Sequence, residues 1–252
     1  MAPAMAEESA EQVERAVAAG RLDDYDAIWR DAYGDMQEVG PTHRHLRRLL
    51  AATLEPLSYR TAVEVGCGAG HNFSLLVDGR DVKRLTGVDV STEALDRARA
   101  RWPQAELHQL DIQREAPAGG WDVVLCSLVL EHLPDDEAAL RNMLEMTDGH
   151  LVAATIAGNF ERYRDWERQM GHVRNYARGE LEGKLERAGF TVERTVYWGF
   201  PFYSPITRRL QNGRRSQAEF GLVDRLAASL MYAAYWLNSS RRGDLVVALA
   251  RA

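Results

Sequence analysis

Cysteine is almost missing from this chain: of 252 residues, only Cys67 and Cys126 carry a thiol. Two cysteines without metal-ligand spacing exclude a disulfide framework and a cysteine-held zinc. They point to a reducing, cytoplasmic setting, and no metal site is expected. Lysine is nearly as scarce, with Lys83 and Lys184 the only two among 31 basic residues. A basic surplus is lacking altogether. Against those 31 stand 37 acidic side chains, and a net charge of −6 with a pI near 5.7 argues against nucleic acid as a partner. No basic segment followed by an apolar stretch opens the chain, so no secretory signal is expected. The most apolar segment, Leu226 to Leu237, is too short to span a bilayer. The 46% of residues that are apolar are ample for one large core.

What the chain does have is the run Val63-Glu64-Val65-Gly66-Cys67-Gly68-Ala69-Gly70, where an apolar strand breaks into three alternating glycines and then an amphipathic segment. Glycine serves where the backbone must turn sharply and let a ligand approach without a Cβ in the way. The run therefore reads as a nucleotide-binding turn. The dinucleotide fingerprint wants a small residue at the next position, where helix packs closely on strand, and here His71 stands there, which disfavours a pyrophosphate cofactor. Further on, Leu85 to Asp89 reads as a second strand ending in a carboxylate. Gln109-Leu110-Asp111-Ile112 reads as the end of a third, and Trp121 to Ser127 as a fourth that runs into Leu128-Val129-Leu130-Glu131-His132-Leu133-Pro134-Asp135. Strands near 61–66, 84–89, 105–110, 121–126, 149–155 and 190–197 alternate with helical segments. That alternation implies a parallel, doubly wound sheet with its ligand outside the carboxyl ends of the strands.

In order and spacing these elements resemble the class I S-adenosylmethionine-dependent methyltransferases, across residues 60 to 200. The resemblance implies an α/β, Rossmann-like seven-stranded sheet with an antiparallel last strand, for which Asp244 to Ala250 is the candidate. It also implies adenosylmethionine as cofactor and a small-molecule acceptor. This cofactor carries a ribose diol, an adenine and a zwitterionic amino acid but no phosphate, so carboxylates suit it where a phosphate site would want cations. Asp89 would accept the ribose hydroxyls. Asp111 would accept from the adenine amino group, with Val90 and Ile112 on the ring faces. Glu64 would attract the methionine ammonium, while the backbone of Gly66, Cys67, Gly68 and Gly70 passes the methionyl chain. Ser127 and Leu128 complete the expected cofactor set, and Arg44, from the basic segment His43 to Arg48, is the candidate cation for the cofactor carboxylate. Cys67 has either a thiol acidified by a helix start or simply a small side chain filling a tight turn.

Methyl transfer from a sulfonium is an in-line displacement, so alignment supplies much of the acceleration, about 7–11 kcal/mol for well-oriented groups. A general base would add about 10²–10⁴-fold for a hydroxyl acceptor. His132, His172 and Tyr176 are the candidates, with pocket shaping or ordinary packing as the alternative for each. Phe160, Tyr163 and Trp166 either wall a pocket or pack a helix. Residues 1–58 read as an N-terminal helical segment whose Tyr25, Trp29 and Tyr33 share one face, as a lid or as plain packing. Residues 59–252 form the core with a helical insertion at about 199–243. The insertion holds Arg208, Arg209, Arg214, Arg215, Arg225, Arg241 and Arg242 against Glu219 and Asp224. It would cap the acceptor pocket, make a homodimer contact, or rest weakly on a membrane surface. The expected acceptor atom is oxygen, then nitrogen, on a bacterial specialised metabolite or a sugar-bearing intermediate, as in natural product biosynthesis. The alternative is a protein of this fold that binds the cofactor for other chemistry or for binding only.

Overall fold

A computed structural model describes residues 36–211 and 220–252. Tyr25, Trp29 and Tyr33, with Arg214 and Arg215, lie outside the described residues. Seven strands form one sheet in the order β3-β2-β1-β4-β5-β7-β6. They are β1 (Thr61–Val65), β2 (Arg84–Asp89), β3 (Glu106–Gln109), β4 (Trp121–Ser127), β5 (Thr147–Ile156), β6 (Thr191–Trp198) and β7 (Leu245–Arg251). β7 runs antiparallel to both β5 and β6, and the pairings from β3 through β5 are parallel. The expected doubly wound sheet with an antiparallel last strand is therefore present.

Both faces of the sheet are covered, which explains why its strands read as nearly continuous apolar runs. Side chains alternate between two cores with period two. Val63, Val65, Val124 and Cys126 face one, while Ala62, Val123 and Leu125 face the other. The first core is closed by α5 (Asp136–Glu145) and α7 (Glu180–Ala188) through Leu140, Met143, Leu181 and Leu185. The second is closed by α2 (Pro41–Leu54), α3 (Phe73–Val77), α4 (Thr92–Arg101) and α9 (Leu222–Tyr235) through Leu50, Leu54, Phe73, Leu76, Leu95 and Tyr235. The short helices α1 (Met36–Val39), α6 (Arg164–Gln169) and α8 (Arg208–Gln211) complete the set among the described residues. Local signals fix the helix starts. The Ser91 hydroxyl accepts from Ala94 N–H at 3.1 Å to open α4, and the Asp135 carboxylate accepts from Ala138 N–H at 2.9 Å to open α5.

α2 and α9 meet above the carboxyl ends of the strands. His45 of α2 is fully buried, with Nε2 2.8 Å from the Tyr232 carbonyl of α9, and Arg44 and Arg48 lie over the Tyr232 and Trp236 rings. The start of the described chain and the late insertion thus share one roof. No described helix is long and apolar enough to cross a membrane.

Candidate active site

Under that roof lies one cavity of about 780 Å³, lined by residues from the glycine turn, the ends of β1 to β4, α2 and α9. Its first end is built by the turn after β1. Gly66, Gly68 and Gly70 all have positive φ, and a Cβ on Gly66 would stand 2.2 Å from a methyl of Val129, so no other residue fits there without displacing the wall. The N–H groups of Gly66 and Cys67 both donate to Val88 O, at 2.8 and 3.0 Å, which ties the turn to β2. Asp89, at the end of β2, accepts from Gly68 N–H at 2.7 Å on one carboxylate oxygen and from Ser91 N–H at 2.9 Å on the other. The same carboxylate that is expected to hold a ribose thus also holds the turn in shape.

Glu64 is 1% exposed. Its Oε1 accepts from Asn72 Nδ2 at 2.7 Å, and its Oε2 is buried without a partner. Burial raises the Glu64 carboxyl to about 8; the Asn72 hydrogen bond opposes this, and the Asp89 charge adds to it. An orphaned, buried carboxyl oxygen facing a cavity suits an incoming cationic group such as an ammonium. Val90, Asp111 and Ile112 line the same end, with Asp111 Oδ1 accepting from Gln113 N–H at 3.0 Å and Oδ2 3.2 Å from Arg114 Nε. Ser127 and Leu128, at the end of β4, also line the cavity. Leu128 has φ 57°, the only positive φ among described residues other than glycine, and such strain concentrates at binding sites.

The second end gathers Glu131, His132 and His172. The two rings stand edge to face with centroids 4.7 Å apart. His132 Nδ1 donates to Gly171 O at 3.1 Å, and burial takes its pKa down to about 3, helped by the His172 charge. His172 Nδ1 lies 2.5 Å from Glu167 Oε2, and burial lowers its pKa against the pull of Glu131. Glu131 is fully buried, with Oε2 accepting from Thr155 Oγ1 at 2.7 Å; burial raises its carboxyl. Behind this layer Glu167 is paired with Arg208, whose Nη1 donates to Asp244 Oδ2 at 2.9 Å and to Ala157 O at 3.2 Å. The insertion adds apolar lining through Tyr203, Leu210, Phe220, Ala227, Ala228 and Met231.

Several sequence expectations are corrected by these positions. Arg44 does not line the cavity, its guanidinium standing 3.7 Å above the Tyr232 ring; the arginine that lines the cavity is Arg47, three residues on along α2. Tyr176 is fully buried, its hydroxyl bound to Asp136, which also takes Lys184 and Arg174, so it anchors α7 and does not reach the cavity. Gly70 also stands off the cavity; its missing Cβ leaves room for Trp102 and Phe73. Cys67 lines the cavity, yet burial raises its thiol pKa, so the acidified alternative fails and the packed one stands. Of the aromatic trio only Trp166 lines the cavity, while Tyr163 is buried with its hydroxyl 2.7 Å from Ser204 O. Arg208, counted among cations for a membrane surface, is 2% exposed and ion-paired inside. Trp236 is 57% exposed and stands outside the cavity.

This sheet order, with a cavity at the carboxyl ends of its strands, defines a Rossmann-like doubly wound scaffold. Solved structures share it. The chain aligns with the N-methyltransferase NodS of Bradyrhizobium japonicum bound to S-adenosyl-L-homocysteine at a TM-score of 0.57, with 22% identity over 96% of this chain and 97% of that one. It aligns as fully with the [4+2]-cyclase SpnF, at a TM-score of 0.56 and 16% identity over 96% of this chain and 95% of the other. Both likenesses are of fold alone. In sequence, residues 40–195 match the methyltransferase domain family. The trans-aconitate 2-methyltransferase of Azoarcus is 35% identical over 102 residues, 40% of each chain; the alignments to such curated relatives span roughly half of their length or less. The chain belongs to the S-adenosylmethionine-dependent methyltransferase family.

Proposed function

We propose that this protein transfers a methyl group from S-adenosylmethionine to an oxygen atom of a small, largely apolar molecule. The observation that carries the reading is the polarity of one continuous cavity, with buried carboxylates and a glycine turn at one end, and imidazoles and an apolar helix at the other. When bound, adenosylmethionine supplies an electrophilic methyl on a sulfonium. Asp89 and Asp111 would accept from its ribose and adenine, Glu64 would face its ammonium, and Arg47 would take its carboxylate. The acceptor would lie against Met231, Ala228 and Leu210, with its hydroxyl toward Glu131, His132 and His172. That trio is the source of the group that takes the acceptor's proton; alignment of the reacting atoms supplies the larger share of the rate.

The relatives named for trans-aconitate suggest a carboxylate acceptor. Among the described residues, however, the only lysine or arginine lining the cavity is Arg47, and the insertion adds Asp224 to that lining, which favours an acceptor without several negative charges. Nitrogen is the second choice of acceptor atom, and a bacterial specialised metabolite remains the preferred class. The test is incubation of the protein and adenosylmethionine with candidate hydroxylated metabolites, read by mass spectrometry for a gain of one CH₂. With the acceptor in hand, His132→Ala or His172→Ala should lower turnover by about 10²-fold or more while cofactor affinity holds. Near-full turnover in both variants would remove the trio from the proposed chemistry.

A further inference from the structure

The roof helix α9 carries apolar side chains on two faces. Ala228 and Tyr235 are buried and Met231 lines the cavity, which accounts for the inner one. On the outer side Leu222, Leu226 and Leu230, four residues apart and so on one helical face, are each exposed over more than half of their surface. Trp236 and Leu237 continue the bare stripe past the end of the helix. Phe200 joins them: its N–H donates to Arg242 O at 3.0 Å and its carbonyl accepts from Ser239 N–H at 2.7 Å, so its exposed ring stands beside the segment that follows α9. An apolar stripe left bare in this way marks an interaction surface. We infer that this one rests on the surface of an anionic lipid bilayer.

The charges around the stripe select that occupant. Arg225 lies one helical turn from Leu222, and Arg225, Arg241 and Arg242 are all exposed. The guanidinium of Arg48, from α2, stands 4.5 Å over the Trp236 ring, and that of Arg242 stands 4.8 Å over the Phe200 ring. Residues 220–243 hold three arginines and one acid in a chain whose net charge is −6. That acid, Asp224, lines the cavity and accepts from Gly221 N–H at 3.0 Å. Leucines that enter the acyl boundary, arginines that meet lipid phosphates and a tryptophan at the headgroup level are the parts of an interfacial contact. A second copy of this chain fits less well, because an isologous contact would bring the same cations to the interface from both sides.

The stripe also adjoins the cavity. Leu210 and Ala227 are exposed and line it, so apolar surface and apolar lining are continuous. The inference concerns binding alone and does not rest on the proposed methyl transfer.

The test is cosedimentation of the full chain with vesicles of phosphatidylcholine alone and of phosphatidylcholine mixed with phosphatidylglycerol. Binding is expected to the mixed vesicles, with little to the neutral ones and a steep loss as salt is raised. Arg241→Gln and Arg242→Gln should each weaken partitioning about fivefold. Leu226→Ser and Leu230→Ser should each weaken it by at least about tenfold, since each removes an apolar side chain from the contact. All four positions are exposed, so the melting temperature and S-adenosyl-L-homocysteine affinity should hold in every variant. Mixed vesicles should shift the tryptophan emission of the wild type to the blue, and Trp236→Phe should abolish that shift. Absence of the wild type from both vesicle pellets overturns the inference, as does unchanged partitioning in the leucine variants. Equal binding to both vesicle types overturns the assignment to an anionic surface. A lipid-free dimer in sedimentation velocity that Leu226→Ser converts to monomer overturns it too, because it would give the stripe to a second copy.

Discussion

The two ends of the cavity are built in opposite ways. At the cofactor end, the groups lie within short local motifs. Glu64, Gly66 and Gly68 sit inside one strand and turn, and Asp89 reaches back to the Gly68 N–H across a single strand pairing. At the imidazole end, His172 is bonded to Glu167, Glu167 to Arg208, and Arg208 to Asp244, a relay that joins α6, α8 and the residue before β7. Local motifs can hold the same ligand while the rest of the chain changes. The likeness in fold to both an N-methyltransferase and a cyclase, each under 25% identical, shows one fold carrying different chemistries.

The contrast can be broken from either side. The largest effect is expected from Asp89→Ala, which removes the acceptor of two backbone N–H groups and of the ribose diol. At about 1.5–3 kcal/mol for each charge-assisted bond, S-adenosyl-L-homocysteine affinity should fall by at least 10²-fold in calorimetry. Arg208→Ala follows. It leaves Glu167 buried without its cation, and unfolding in urea should show a loss of about 3–5 kcal/mol. If the two ends are separable, any folded fraction of that variant still binds the homocysteine product with near wild-type affinity. The smallest effect is that of Met231→Ala on the roof, which should weaken acceptor binding by roughly 1–2 kcal/mol through lost apolar contact and leave the cofactor untouched. Trp236→Ala, outside the cavity, should change neither. An equal response of both ligands to Met231→Ala would dissolve the division into two ends.

The sheet was legible in the sequence because its signals are local. Apolar runs ending in Gly66, Asp89 and Asp111 mark the carboxyl ends, and strand boundaries inferred from them fall within one or two residues of those observed. That Asp89 and Asp111 stand at strand ends and line the cavity was legible for the same reason. Arg44 was misplaced because the segment from His43 to Arg48 carries three arginines, and only the partner helix decides which of them faces the cavity: Tyr232 and Trp236 of the roof draw Arg44 and Arg48 over their rings and leave Arg47. Tyr176 was misjudged because nothing near it announces Asp136, forty residues upstream at the start of α5. Glu131 was passed over although it stands beside His132. Its burial beneath Thr155 comes from β5, and a single acid in a loop carries no such mark. On α9, Leu222, Leu226 and Leu230 are exposed while Ala227, Ala228 and Met231 take the cavity side, a division that its run of apolar residues does not announce.

The central claim is that the acid-lined end receives the zwitterionic tail of adenosylmethionine, and Glu64 reports on it directly. Its carboxyl, raised to about 8 by burial, holds its proton at pH 7 in the free protein. An ammonium placed against Oε2 favours the ionised form, so the folded pKa drops on binding and the proton must leave. Calorimetric titration of S-adenosyl-L-homocysteine at pH 7, repeated in buffers of different ionisation enthalpy, measures that proton. The account predicts binding with release of close to one proton per site, and binding without that release in Glu64→Gln. Binding of NADH tighter than of S-adenosyl-L-homocysteine, or the same proton exchange in Glu64→Gln as in the wild type, would contradict it.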